Sequence, residues 1–371
     1  MQITSLHIKN FRCFSSLSVN LDDRIIVIEG DNGSGKTSLL EAIHYLCYMR
    51  SFRTHIPRDL VNFEKDSFFV KAQLSVDDAP AEIQVGFSGA RRLVKFNQRP
   101  IQSFKDLVPH YRVVTLIEDD LMLIKGGPEI RRAFIDQALI LSNPDYLLSL
   151  KSYRAAVDHR NTVLTQSHVA DDTYRFWTKH LWEQGITLQK QRRDLLANLE
   201  QRVNILFKEH FSEQSPLDIT LEYRSRKHAD DESFDTFLQV YGDLLKQEEL
   251  RLGRSMFGAH LDDFAIHFRS KKSKLYASRG QQKLIMLLLK IAHVQEIIEQ
   301  HGPIIFLLDD LMADFDTATL ERLVAMLINL NCQLIFTIPT QPSQLKDLLT
   351  IQGAVIMKLT DGNICSAAGD F

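Results

Sequence analysis

Apolar and polar positions alternate over Ile3–Ile8, and a second run, Arg24–Ile28 (RIIVI), is apolar throughout after its arginine. The alternation predicts a strand with one buried face, and the unbroken β-branched run predicts a strand buried on both. Past a glycine-rich loop, Leu39, Ala42, Ile43, Leu46 and Cys47 recur at the spacing of an amphipathic helix. Alternation returns over Phe69–Val76, Glu82–Phe87 and Leu93–Phe96, divided by the turn-forming stretches DDAP and SGA. Those three predict an antiparallel meander.

The pattern changes near Gly126-Gly127-Pro128, and from there to about Gly253 the residues are mostly helix formers. Trp177, Leu181, Leu188, Leu195, Leu199, Val203 and Leu206 mark a long amphipathic helix. It reads as half of a helical hairpin, either packed as a bundle or projecting as an arm. Phe264–Phe268, Leu284–Val294, Ile304–Leu308 and Gln333–Thr337 restore an alternation of strand and helix. The second of these predicts a buried helix and the third a buried parallel strand. The simplest architecture puts Arg24–Ile28 and Ile304–Leu308 in one sheet, with the helical region inserted between them. The expected domains are an N-terminal part of the head (1–125), a helical arm (126–250) and a C-terminal part of the head (251–371).

Composition adds constraints. The 371 residues are 44% hydrophobic and 25% charged, with a formal net charge of −3. An acidic partner such as DNA must therefore meet local basic patches. Four such clusters stand out: Arg50/Arg53/Arg58, Arg91/Arg92/Lys95, Lys190/Arg192/Arg193 and Lys271/Lys272/Lys274. Cys13, Cys47, Cys332 and Cys365 lack zinc-type spacing and read as reduced thiols of a cytoplasmic protein. The apolar runs are too short to span a bilayer, and the charged, alternating start does not read as a signal peptide.

The chemistry begins at GDNGSGKTS, which matches G-x-x-x-x-G-K-[ST] at Gly30, Gly35, Lys36 and Thr37. A strand precedes it and a helix follows, the context a phosphate loop requires. The backbone N–H groups of Gly30, Asp31, Asn32, Gly33, Ser34, Gly35 and Ser38 are expected to curl around a phosphate at a helix N-terminus. Lys36 then reaches the β- and γ-phosphates, and the Thr37 hydroxyl binds Mg²⁺. IIFLLDD supplies the acidic partner, with Asp309 for the Mg²⁺ shell and Asp310 to orient or deprotonate the attacking water. In SRGQQK, Ser278 and Gln281 form a capping box before an apolar helix. Gly280 is costly in a first helical turn and permits close approach. Ser278, Gly280 and Gln281 thus make a second anion site, and two such sites on one triphosphate imply a second subunit.

These pieces resemble the RecF family of bacterial recombination-repair ATPases, which are related to ABC and SMC heads. LHIKNFRCF, GDNGSGKTSLLEAIHYL, RSFRT at Arg50–Thr54, DDLMLIKGGPEIRRAFID at Asp119–Asp136, YRAAVDHRNTVL at Tyr153–Leu164, SRGQQK and FLLDDLMADFD carry the likeness. The resemblance implies an α/β P-loop ABC/SMC-type ATPase head with an antiparallel β subdomain and an inserted helical arm domain. It implies ATP and Mg²⁺ as cofactors and an ATP-dependent homodimer that clamps single-stranded or gapped DNA. It further implies a weak, DNA-stimulated hydrolysis of ATP that releases the clamp, and RecO and RecR as partners in placing RecA. Four positions depart from the family pattern. Leu261 stands where Gly-Pro-His-Arg-Asp-Asp has its arginine, Ala313 and Asp314 replace the Ser-Glu after the paired aspartates, and Glu118 replaces a proline. The altered Ala313–Asp316 segment keeps open a module in which ATP is structural and hydrolysis negligible. A nuclease fusion has no room after Asp310, and a transport ATPase does not account for the long arm.

Overall fold

The computed structural model describes residues 1–89, 91–211, 218–226, 233–310, 315–341 and 343–366, with side chains up to residue 364. Two units divide the chain, Met1–Asp120 with Lys290–Phe371, and Leu121–Leu289. Residues 251–289, grouped in the sequence with the head, thus fall within the second unit.

The first unit opens with strands β1 (Gln2–Phe11), β2 (Phe14–Asn20) and β3 (Ile25–Gly30), followed by helix α1 (Lys36–Tyr48). The meander comes next: β4 (Ser67–Val76), β5 (Ala79–Ser88), β6 (Arg91–Phe96) and β7 (Arg99–Ile101). Then follow α2 (Phe104–Leu107) and β8 (Val113–Leu116). An antiparallel sheet runs in the order β2-β1-β4-β5-β6-β7. Its alternation sorts the faces: Ile3, Leu6, Ile8, Phe68, Val70, Ala72, Ile83 and Val85 are buried on one side.

The second unit carries α3 (Met122–Lys125), α4 (Pro128–Ser142), α5 (Tyr146–Leu164), α6 (Asp171–Phe211), β9 (Ile219–Arg224) and α7 (Phe234–Leu252). It continues through β10 (Asp263–Phe268), β11 (Lys271–Lys272) and α8 (Ser273–Tyr276) into α9 (Arg279–His301). Helix α6 is 41 residues long. Its predicted stripe is buried from Leu181 to Leu206 against α4, α5 and β9, so the helix packs as a bundle member within this unit. In the three-stranded sheet β11-β10-β9, β10 matches the expected Phe264–Phe268, but its partners β9 and β11 were not legible in the sequence. The outer edge of β9 is covered by α6: Asn204 Nδ2 donates to Ile219 O at 2.8 Å, and Ile219 N and Leu221 N donate to Asn204 Oδ1 and Glu200 Oε2.

A buried ion pair locks this bundle. Arg160 and Glu249 are 1% and 0% exposed, and the guanidinium donates to both carboxylate oxygens at 2.8 and 2.6 Å. Ser255 and Thr178 accept two further bonds, Arg160 Nε has no hydrogen-bond partner among the described residues, and Tyr174 donates to Glu249 at 2.7 Å. A second network joins Arg192 to Asp136 at 2.8 Å and to Ala259 O at 2.6 Å. Nearby, Asp262 accepts from Gln189, Tyr223 and the Arg226 amide. Such pairs are held by several hydrogen bonds each, because an unpaired charge there is costly.

The chain then returns to the first unit through β12 (Ile305–Asp309), α10 (Thr317–Ile328), β13 (Gln333–Ile338), α11 (Gln344–Ile351), β14 (Val355–Thr360) and β15 (Asn363–Ser366). The second sheet runs β15-β14-β3-β13-β12-β8, parallel except for β15. Strands β3 and β12 thus share one sheet, as expected, with β13 between them. Helix α1 touches β3, β8 and β12 on one side and β4 and β5 on the other, so twelve of its side chains are buried. Among the described residues no helix is long and apolar enough to cross a membrane, and Cys13, Cys47 and Cys332 are free thiols.

Candidate nucleotide site

Strand β3 ends at Gly30 and α1 starts at Lys36, so the glycine loop closes a strand-to-helix turn of five residues, Asp31 to Gly35. Gly35 has φ +109°, and a Cβ there would sit 2.7 Å from Cys13 Sγ and 3.0 Å from Phe14 Cζ. Only glycine fits that turn, and it aims the first amides of α1 outward. The Ser34 amide donates to Asp31 O at 3.1 Å, and Ser34 Oγ is buried without a hydrogen-bond partner among the described residues. Lys36 Nζ donates to Gly30 O at 2.6 Å and Asp31 O at 3.0 Å. An ammonium has three donors, so one remains for an anion in the loop.

The acidic partner stands where expected. Thr37 Oγ1 donates to Asp309 at 2.9 Å, at the end of β12. Sequence reasoning missed Thr337, which donates to Asp309 Oδ1 at 2.6 Å and accepts from the Asp310 amide at 3.2 Å. The missed signal is positional: β13 lies beside β12, and Thr337 pairs in register with Asp309. Asp310 has φ +38°, a left-handed geometry rare outside glycine and a mark of constrained functional turns.

Lys36, Thr37, Asp309 and Asp310 line a cavity of about 450 Å³ together with Cys13, Asn32, Gly33, Gly35, Ser38, Arg53 and Glu118. Arg53, grouped by sequence with a basic patch, belongs to this cavity. The buried Glu41 of α1 holds it in place. That carboxylate accepts from Arg12 at 2.7 and 2.8 Å and from Ser51 Oγ, and lies 3.8 Å from Arg53. Burial raises the Cys13 thiol above its usual pKa, so it stays protonated beside the loop.

The second glycine motif lies in the other unit. The capping box is formed: the Ser278 amide donates to Gln281 Oε1 at 2.9 Å, and the Gln281 amide donates to Ser278 Oγ at 3.3 Å. The Ser278 hydroxyl accepts in that bond, which leaves its own proton to donate elsewhere. Among the described residues nothing lies within 4 Å of a Cβ built on Gly280, so the fold does not require glycine there.

The remaining sequence candidates separate. Arg192 is 2% exposed and tied to Asp136, which removes it from any basic patch. Arg92 donates to Met49 O at the end of α1, beside Arg50, so the first two clusters adjoin. Ala313 and Asp314 lie outside the described residues. Burial pushes His260 down to about 4, while its Nδ1 shares a 2.8 Å hydrogen bond with Tyr153.

Comparisons with known proteins agree with this geometry. A family model described as RecF/RecN/SMC N terminal domain matches residues 2–356. A DNA replication and repair protein RecF from Leptospira interrogans is 31% identical over 333 residues, 88% of this chain and 89% of that protein. One from Clostridioides difficile is 26% identical over 99% of this chain and 98% of its own length. Among solved structures, the recombination mediator protein RecF with ATP, from the RecFOR pathway, has a TM-score of 0.85 at 22% identity, covering 99% of this chain and 98% of that one. An Smc head domain from Pyrococcus furiosus has a TM-score of 0.57 at 15% identity, covering 99% of this chain and 96% of its own. With a phosphate loop, a paired strand-end aspartate and a signature-type capped helix on this fold, the chain belongs to the RecF family of ATP-binding, SMC-like ABC ATPases.

Proposed function

We propose that this protein is an ATP-driven DNA clamp of recombinational repair and replication-fork maintenance. One ATP is cradled by Gly30–Ser38 of one copy and closed over by Ser278, Gly280 and Gln281 of a second. The observation that carries this reading is the uncovered start of α9: a capped helix N-terminus with a glycine that its own fold does not need. Lys36 holds the β- and γ-phosphates, and Asp310 positions the attacking water.

The residues present fit Mg²⁺. Thr37 Oγ1 and the Asp309 carboxylate offer hard oxygen ligands within 2.9 Å of each other. Among the described residues no cluster of three or more His, Cys, Asp or Glu is arranged for a metal. A Mg²⁺ held by Thr37 and Asp309 would draw its other ligands from phosphate and water and would supply charge neutralisation there. ATP closes the dimer on single-stranded or gapped DNA, hydrolysis releases it, and RecO and RecR join in placing RecA. The RecFOR pathway named for the RecF–ATP structure supports that assignment.

The test is the mass of the protein in solution with and without ATP and Mg²⁺, repeated with gapped duplex DNA. A monomer-to-dimer shift driven by ATP, strengthened by DNA and lost in Lys36→Met is expected. An ATP-binding monomer that never dimerises would remove the clamp. Single-turnover hydrolysis with and without DNA separates the switch from a purely structural nucleotide.

A further inference from the structure

Among the described residues, the outer face of the antiparallel sheet in the first unit is partly exposed. Lys9, Phe69, Gly86 and Leu93 stand in register across β1, β4, β5 and β6. On the same face, Ser67, Ser88 and Arg91 form the next row, and His7, Lys71, Gln84 and Lys95 the one beyond. Leu93 is 55% exposed. Gly86 is a strand-interior glycine whose added Cβ would meet only Phe69 Cδ2, at 3.9 Å. Glycine weakens a strand, so where neighbours do not demand it, the residue marks close approach by something else. A recess of about 590 Å³ opens at this end of the sheet, lined by Ser67, Phe68, Gly86, Phe87, Ser88, Arg91, Arg92 and Leu93. Ser67, Gly86, Ser88, Arg91 and Leu93 of that lining stand on the outer face, whereas Phe68, Phe87 and Arg92 alternate to the buried one, where the two rings stack at 5.5 Å; no carboxylate lines the recess.

We propose that this recess binds an unpaired nucleotide of a DNA strand, a role that rests on the DNA-clamp reading above and assigns its contact surface. The base lies over the gap at Gly86 between Phe69 and Leu93, and the adjoining phosphates meet Arg91 and Lys9. A duplex hides both faces of every base, whereas a single strand offers them to apolar floors flanked by cations. Phosphate contact alone would need no apolar gap.

The test uses the full-length protein with ATP and Mg²⁺, fluorescein-labelled oligothymidylate and a blunt duplex of equal length, read by anisotropy. Gly86→Val suits a strand and fills the gap, while Arg91→Glu reverses one charge. Each is expected to weaken oligothymidylate binding about tenfold, with Gly86→Val altering duplex binding less than about twofold and neither changing ATP affinity. Variants that hold oligothymidylate like the wild type would overturn the recess and leave the clamp standing. A wild type that binds neither DNA would remove both readings together. If Gly86→Val instead abolishes ATP-driven dimerisation with DNA affinity per monomer unchanged, the recess is a contact between copies and the nucleotide assignment falls.

Discussion

Thr337 Oγ1 donates to Asp309 Oδ1 at 2.6 Å from the neighbouring strand, across the register pair that joins β13 to β12. The same carboxylate accepts from Thr37, so two hydroxyls fix its plane before any cation arrives. Thr337→Val keeps the β-branched shape and removes the donor. Its affinity for ATP with Mg²⁺ is expected to fall roughly tenfold, with little change in affinity for ATP in the presence of a chelator. Calorimetric titration under both conditions measures the difference, and Thr337→Ser is expected to restore it.

The Ser278 hydroxyl caps α9 and, in the clamp, faces a phosphate. Ser278→Asp separates the roles, because aspartate is an equally good N-cap but repels an anion. The melting temperature is expected to change little, within about 0.5 kcal/mol of stability, while the ATP-driven dimer is lost. Ser278→Arg is expected to block the dimer and leave ATP binding intact. Dimerisation of both variants at wild-type ATP concentrations would reduce Ser278 to a cap.

Removing one partner of the Arg160–Glu249 pair strands the other at 0% exposure. Arg160→Met is expected to cost about 3–5 kcal/mol in urea unfolding. Adding Glu249→Gln to that variant is expected to recover part of the loss, since the neutral amide needs no counter-charge.

His260 titrates at about 4 in the folded chain because burial disfavours its cation, against 6.5 when exposed. The unfolded chain therefore binds the extra proton between those values. Stability from this residue is intact above pH 6.5 and declines as pH falls toward 4, by at most ~3 kcal/mol. Thermal melting of wild type and His260→Gln between pH 7 and pH 4.5 is expected to show a shallower decline in the variant.

The phosphate loop, Asp309, Asp310 and the capping box were legible because each is a contiguous string whose chemistry fixes its spacing. The buried runs around Ile25 and Ile305 announced the parallel sheet for the same local reason. Thr337, Glu118 and Cys13 were not legible, since Thr337 reaches Asp309, and Glu118 and Cys13 reach the cavity, only through pairing of distant segments. Lys190/Arg192/Arg193 read as a basic patch because a sequence does not display Asp136, 56 residues upstream of Arg192, which draws that arginine inside. Strand β9 escaped notice because its partner β10 lies beyond the whole of α7.

The order of strands in the parallel sheet also sets a schedule for synthesis. Strand β3 is buried along its whole length, yet both its neighbours, β13 and β14, come from the far end of the chain. At ribosomal rates, the roughly three hundred residues between β3 and β13 take about 15–60 s to appear. The bundle from Leu121 to Leu289 can complete its own contacts before the end of that interval, while the apolar ribbon Ile25–Gly30 lacks both its strand partners throughout. The nascent chain is thus most exposed to aggregation and to chaperones while the phosphate loop is already made but its sheet is not, and a ribosome stalled before Gln333 leaves a chain that cannot close its nucleotide site.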